Sequence, residues 1–228
     1  MSKRPVTFTI RPVRPEEYEA LGELTVAAYH ALEDTMHHQD AYDRRLRDVA
    51  RRATTSCVLV AMTPAGELLG GVTFVSGPDD PYSEELHEGE AGIRMLAVDP
   101  AHQGRGIGRA LTEACLDRAR ADGRSRLVLH TGDWMPAAIR LYERMGFHRD
   151  PSIDFAPAPG IDLIAYAFDL PAATPPTACP GSGAISPVSL GRPSPPPTRT
   201  PPRQTAKTPA TPPSIATNPS TKTAAGVP

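Results

Sequence analysis

The sequence lacks the features that mark several protein classes. It has three cysteines, too few and too irregularly spaced for the disulfide framework of a small secreted domain. It contains no apolar run of about 18 residues, the length that a membrane-spanning helix needs, and no signal-peptide segment. Its net charge is −2, whereas proteins that bind nucleic acid usually present a basic surface. These absences predict a cytoplasmic protein whose main partner is neither a membrane nor a nucleic acid.

The last part of the chain lacks what a hydrophobic core requires. Residues 171–228 contain no Asp, Glu, Phe, Tyr or Trp, but they hold 16 of the 27 prolines. Such a segment buries too little apolar surface to offset the entropy lost on folding. We therefore predict a folded domain over residues 4–170 and a disordered, Pro/Ser/Thr-rich tail over residues 171–228. The five basic residues of the tail leave the domain a net charge of −7, which suits a cationic substrate or is simply a solvated acidic surface.

The domain is predicted to alternate between strands and helices. Alternating or continuous apolar patterns predict strands over residues 7–13, 57–62, 68–75, 91–98, 127–130, 147 onwards and 161–170. Apolar residues at helical spacing predict helices from residue 15, over residues 42–53, over a segment that ends near residue 122, and over residues 136–145. Residues 30–41 show no clear period and are predicted to form a mobile connection. The strand–helix–strand order of the second half requires a parallel pair with a crossover helix, so we expect an α/β (α+β) fold.

A glycine-rich stretch follows the central predicted strand. Gly104, Gly106 and Gly108 alternate with other residues directly before a helical apolar stripe. Glycine inside a helix costs roughly 0.5–1 kcal/mol relative to alanine, so three here indicate backbone that lies against another group. A helix N terminus offers unpaired N–H groups and a positive dipole end, which favours an anion such as a pyrophosphate. The spacing is neither the G-x-G-x-x-G of dinucleotide-binding folds nor a P-loop, and a ligand-free tight turn is the alternative.

Three segments in a fixed order point to one family. They are Leu96–Pro100, Gln103–Gly108 with a Q-x-x-G-x-G pattern, and Ala138–Phe147, which reads A-I-x-L-Y-x-x-x-G-F. Together they resemble the central strand, the Q/R-x-x-G-x-G/A signature and the Tyr-bearing segment of the GNAT superfamily of acyl-CoA-dependent N-acetyltransferases. The resemblance covers about residues 7–170. It implies a GNAT fold, with a mixed central sheet of about six to seven strands and about four flanking helices, and an enzyme that uses acetyl-CoA and no metal.

The resemblance also implies which residues contact acetyl-CoA. In the family, the backbone of the central strand pairs with the pantetheine arm, a role that falls here on Leu96, Ala97 and Val98. The pyrophosphate loop corresponds to Gln103, Gly104, Arg105, Gly106, Ile107, Gly108 and Arg109. The two arginines either add direct charge or are ordinary surface residues. Relatives often carry an Asn seven residues before the Tyr, and this chain has Met135 there, which implies that one cofactor contact is lost.

Catalytic candidates follow from the chemistry and the resemblance together. An amine with a pKa of about 10.4 is almost wholly protonated at pH 7 and must lose a proton before it attacks a thioester. Tyr142 corresponds to the family's Tyr whose hydroxyl points at the thioester sulfur, and is predicted to protonate or position the leaving thiolate. His130 and Glu90 are the two candidate bases, acting directly or through water. The alternatives are a packed Tyr, a His bonded to the backbone and a solvated carboxylate.

The motifs leave the acceptor open, because specificity in such a fold resides in variable loops. The resemblance implies a primary amine on a small molecule, a peptide N terminus or a lysine. Trp134 is predicted either to line the acceptor site or to pack. The competing hypothesis is a non-catalytic acyl-CoA-binding sensor or partner module. Either a monomer or a homodimer is compatible with the sequence.

Overall fold

In the computed structural model, residues 6–32, 40–158 and 161–171 are described, and they contain eight strands and five α-helices. In chain order the elements are β1 (Thr9–Pro12), a 3₁₀ turn (Pro15–Glu17), α1 (Tyr18–His30), α2 (Asp40–Arg47), α3 (Val49–Thr55), β2 (Cys57–Met62), β3 (Leu68–Val75), β4 (Glu90–Val98), a 3₁₀ turn (Pro100–His102), α4 (Ile107–Ala121), β5 (Arg126–Gly132), α5 (Pro136–Arg144), β6 (His148–Arg149), a 3₁₀ turn (Pro151–Ile153), β7 (Phe155–Ala158) and β8 (Ile161–Asp169). None of these helices is both long and apolar enough to cross a membrane. The predicted tail after Pro171, and residues 33–39 of the predicted connection, lie outside the described residues.

One mixed sheet organises the domain. Its strand order is β1-β2-β3-β4-β5-β8-β6, and β7 pairs with the part of β8 that β6 leaves open. Strands β4 and β5 run parallel, whereas the other neighbouring pairs are antiparallel. A parallel pair needs a crossover, and α4 supplies it. The predicted α/β class with a mixed sheet is therefore confirmed.

The largest cluster of buried apolar side chains lies where α4 packs against the sheet. Ile107, Leu111, Cys115 and Ala119 repeat every four residues along α4 and are each at most 1% exposed. This spacing places all four on one face of the helix. They pack in one cluster with residues of β2, β3, β4 and β5. On the opposite face of β2, Val58, Val60 and Met62 form another cluster with Leu21 of α1 and Val49 of α3.

The predicted helix over residues 42–53 is two helices in the structure. The helical conformation is interrupted at Asp48, whose carboxylate accepts a hydrogen bond from the backbone N–H of Arg51 at 3.1 Å and so caps α3. The buried Arg52 donates to the carbonyls of Arg45 and Leu46 at 2.8 Å, near the end of α2. The break is stable because these side chains satisfy the backbone groups that two helix ends leave unpaired.

The structure has a short strand, β7, that was not predicted separately from the sequence. It pairs with β8 only at Phe155 and Ala158, with a register shift between these residues. Proline carries no N–H, and strands that contain it are confined to sheet edges and irregular pairs. Because Pro157 argues against a strand, the sequence pattern did not predict β7.

Candidate functional site

The two central parallel strands separate along their length. They pair only over Glu90–Ile93 of β4 and Arg126–Leu129 of β5. Beyond these residues β4 continues to Val98, still paired with β3 on its other side, and β5 continues to Gly132. Within the described part of the chain, the β5-facing edge of residues 94–98 has no strand partner. The sheet is therefore open between the carboxyl ends of β4 and β5.

A β-bulge accounts for this opening. Arg94 pairs with Thr73 and Ala97 with Gly71, so that Met95 and Leu96 stand opposite a single residue of β3. Met95 has a φ of 51°, in the left-handed region that non-glycine residues rarely adopt. A bulge bends the strand that carries it, which turns β4 away from β5.

The glycine loop lies directly beyond the open edge. Gly104 and Gly106 have φ angles of 75° and 86°, which a side chain would strain. Gly106 precedes the first residue of α4 and provides no side-chain cap, so the first N–H groups of this helix have no partner from the helix itself. A Cβ added to Gly106 would meet no atom within 4 Å. The turn therefore presents bare backbone N–H groups on an open side, an arrangement suited to an anion.

Side chains around this loop connect it to the neighbouring elements. The side-chain amide of Gln103 donates to the carbonyl of Val98 at 3.3 Å, joining the loop to the end of β4. Arg105 is half-buried and its Nε has no hydrogen-bond partner among the described residues. Arg109 is exposed and pairs with Glu113 at 2.8 Å. The structure thus brings the predicted cofactor-contacting residues together along one path, with the Arg109 side chain directed to its helical neighbour.

Tyr142 lies on the face of the sheet that α4 and α5 cover. It is 5% exposed and belongs to the same cluster as Ile107 and Leu129. Its ring lies 5.7 Å from that of Phe147, centroid to centroid. Burial raises the pKa of the Tyr142 phenol, and the neighbouring Cys115 thiol raises it further. Its hydroxyl makes no hydrogen bond within the described ranges, so a protonated donor is available there.

His130 lies on the opposite face of the sheet, because successive residues of β5 alternate between faces. Its Nε2 donates to the carbonyl of Ile153 at 2.8 Å, and its ring meets Phe155 edge-on with 4.8 Å between centroids. The lone pair is therefore on Nδ1, which is buried and has no hydrogen-bond partner in the described segments. Burial lowers the pKa of His130, an effect that the hydrogen bond to Ile153 opposes.

Glu90 is not part of this arrangement. It is 5% exposed at the first residue of β4, where its carboxylate accepts from the N–H of His87 at 2.9 Å and from Arg126 at 3.2 Å. Glu90 lies four positions before Arg94, the residue at which the bulge begins, which is a distance of about 13 Å along the strand. Tyr142 and His130 thus lie on opposite faces of the sheet, while Glu90 joins the ion pairs at the paired end of β4 and β5.

Two residues next to the strand ends show how the opening is framed. Trp134 packs over Gly132, where an added Cβ would lie 2.3 Å from a carbon of the indole ring. Met135, in the position where relatives often carry Asn, precedes α5, and its sulfur accepts from the Thr131 hydroxyl at 3.5 Å. This contact is compatible with either role predicted for Trp134. Sequence patterns contained no signal for Arg94, a buried cation beside the bulge.

Comparisons with known proteins agree on one family. Residues 19–147 match the family model described as Acetyltransferase (GNAT) family. The mycothiol acetyltransferase of Streptosporangium roseum is 46% identical over 63 residues, which are 28% of this chain and 19% of the relative, so the chain spans about a fifth of that protein. The structure of yncA from Salmonella typhimurium with acetyl-CoA is 26% identical, has a TM-score of 0.52 and covers 76% of this chain and 99% of its own. A GNAT-family acetyltransferase from Staphylococcus aureus Mu50 has a TM-score of 0.58 at 15% identity, over 72% of this chain and 99% of its own.

Proposed function

Because the chain belongs to the GNAT acetyltransferase family, we propose that it transfers the acetyl group of acetyl-CoA to an amine. The observation that carries the proposal is the free edge of β4 that leads to the uncapped start of α4. Such a path suits one extended molecule that ends in a pyrophosphate. Residues 95–98 provide N–H and C=O groups for the pantetheine amides, and the Gly104–Gly106 turn provides N–H groups for the pyrophosphate. The unpartnered Nε of Arg105 is a further donor nearby.

The catalytic roles proposed for Tyr142 and His130 depend on the positions of these residues on opposite faces of the sheet. The acceptor nitrogen forms a bond to the thioester carbonyl carbon while the bond from that carbon to sulfur breaks. Nδ1 of His130 takes the proton of the amine through a bridging water, since this atom is buried. Tyr142 gives its phenolic proton to the departing thiolate and regains one from solvent. The neutral imidazole and the protonated phenol that these steps require are the forms that burial favours.

The acceptor is proposed to be a primary amine, and a cationic one suits the net charge of the domain. The matched region is a small part of the curated relatives, so the acceptor of mycothiol acetyltransferases belongs in a test panel with other amines. The panel groups small metabolites, aminoglycosides, peptides with free N termini and lysine side chains by charge and size.

The experiment combines binding with turnover on the full chain. Calorimetric titration measures the affinity for acetyl-CoA, and release of free CoA thiol is followed across the panel. An acceptor-free reaction subtracts the background from the half-buried thiol of Cys57. We expect acetyl-CoA to bind and at least one amine class to release thiol. Absence of acetyl-CoA binding contradicts the proposal, and binding without turnover for every class supports the non-catalytic sensor instead.

A further inference from the structure

Among the described residues, two non-glycine residues have left-handed backbone. Glu84, in the segment before β4, and Met95, in the bulge, both have a φ of 51°. Backbone in this region is strained for residues with a side chain and persists only where the surroundings hold it. The strain at Met95 belongs to the bulge that opens the sheet. The strained backbone at Glu84 likewise requires a contact that stabilises it.

The side chain of Arg94 joins these two strained sites. It directly precedes Met95 and is 7% exposed. Its Nε lies 2.9 Å from the carboxylate of Glu84, and its Nη2 donates to the carbonyl of Ser83 at 2.6 Å. Its Nη1 donates to the carbonyl of Ile93 at 3.0 Å. The contacts with Glu84 and Ser83 connect β4 to the segment that carries Glu84, while the bond to Ile93 lies within β4.

The surroundings keep the Arg94 guanidinium in this position. It folds back over Gly92, where an added Cβ would lie 3.1 Å from Nη1 of Arg94 and 3.1 Å from the side chain of Leu86. The second carboxylate oxygen of Glu84 lies 3.3 Å from Arg45 of α2. Because Arg94 lies along the paired part of β4, it holds the strand at the point where the bulge begins rather than extending into the opening.

We propose that Arg94 is a positioning residue for acetyl transfer: paired with Glu84, it holds the Met95 bulge and thereby the free edge of β4 against which acetyl-CoA lies. The proposal rests on the proposed function. It predicts that loss of the ion pair weakens acetyl-CoA binding although Arg94 does not touch the ligand. An ion pair with a purely structural role would lower the melting temperature and leave the affinity of the folded protein unchanged.

The test measures acetyl-CoA affinity and melting temperature for Arg94→Met and Arg94→Lys in the full chain. Calorimetric titration is made well below the melting temperature of each variant, and it needs no acceptor. We expect R94M to raise the Kd for acetyl-CoA about tenfold, because a small misplacement of a binding edge is costly. The single ammonium nitrogen of lysine can pair with Glu84 but cannot also reach both carbonyls that the guanidinium contacts, so R94K should lie between R94M and the wild type.

The matched control is Arg126→Met. Arg126 also pairs with acidic residues, among them Glu90, but at the closed end of the same two strands. R126M should lower the melting temperature with a Kd close to the wild-type value. If R94M does not fold, Gly92→Ala replaces it, because this change keeps every charge and its Cβ meets the Arg94 guanidinium and Leu86 as its nearest atoms. An unchanged Kd in folded R94M, or in G92A where it stands in, overturns the proposal. A wild-type chain that does not bind acetyl-CoA contradicts the proposed function itself.

Discussion

Replacing Tyr142 with Phe separates the effect of the hydroxyl on the stability of the folded protein from its contribution to the catalytic rate. The substitution removes one oxygen from a side chain that is 5% exposed and leaves the ring contact with Phe147 in place. That hydroxyl makes no hydrogen bond within the described residues. It is also not among the fully buried unpaired atoms, so it keeps some contact with solvent, and a partly desolvated hydroxyl without a partner costs less free energy than a fully buried one.

The magnitude follows from this lack of a partner. An unsatisfied buried hydroxyl costs about 1–3 kcal/mol, less where the atom keeps some contact with water. We expect unliganded Tyr142→Phe to be as stable as the wild type or more stable by up to about 1 kcal/mol, which raises the melting temperature of a domain of this size by about 2–4 °C. General acid catalysis contributes about 10²–10⁴-fold to rate, so kcat should fall by a factor in this range.

Tyr166→Phe is the matched control. Tyr166 is also 5% exposed and lies in the same cluster, but its hydroxyl donates to the carboxylate of Glu143 at 3.3 Å. This variant loses a hydrogen bond, so its stability should fall by about 1 kcal/mol while kcat is unchanged. The assay is thermal unfolding together with thiol release at saturating acetyl-CoA. Unaltered kcat in Y142F, or a stability loss equal to that of Y166F, would refute the reasoning.

Two further predictions concern the strand β5. Burial lowers the pKa of His130, so this side chain binds a proton more readily in the unfolded chain than in the folded protein. The free energy of unfolding is therefore unaffected by His130 above the usual histidine pKa of about 6.5 and decreases as the pH falls below that value. Denaturant unfolding at pH 7 and at pH 5 gives the free energy of unfolding that is lost on acidification. This loss should be smaller for His130→Gln than for the wild type, whereas replacement of the exposed His87 by Gln should leave it at the wild-type value. Equal losses in all three proteins would contradict the role of His130 in this pH dependence. Gly132→Ala places a Cβ 2.3 Å from the Trp134 ring and should cost about 1–3 kcal/mol of stability. A Trp134→Ala background should remove most of that cost, and a double-mutant cycle without coupling would argue against the steric cause.

The helix-forming and loop-forming parts of the site could be predicted because their causes are local. The apolar repeat of α4 needs only the helical period, and the Gly104–Gly106 turn needs only residues that tolerate positive φ. The hairpin of β2 and β3 also follows from neighbouring residues. Where a local signal was weak, boundaries were wrong: the cap at Asp48 divides a predicted helix, and Pro157 hides β7.

The arrangement of the catalytic candidates depended on contacts between distant residues. Glu90 and His130 were both candidate bases in the sequence, but β4 and β5 pair only at their first residues, which puts Glu90 at the paired end. The bulge at Met95 depends on its pairing with β3, and Arg94 depends on Glu84, a residue with no local pattern to reveal it.

The sequence by itself determined the family-like order of strand, glycine loop and Tyr-bearing helix, since each is encoded by residues adjacent in the chain. The tertiary structure alone decided where the sheet opens, and that Tyr142 and His130 lie on its two faces. The reason is that strand register and divergence arise from pairing between segments far apart in sequence, where one extra residue in a bulge redirects all that follows.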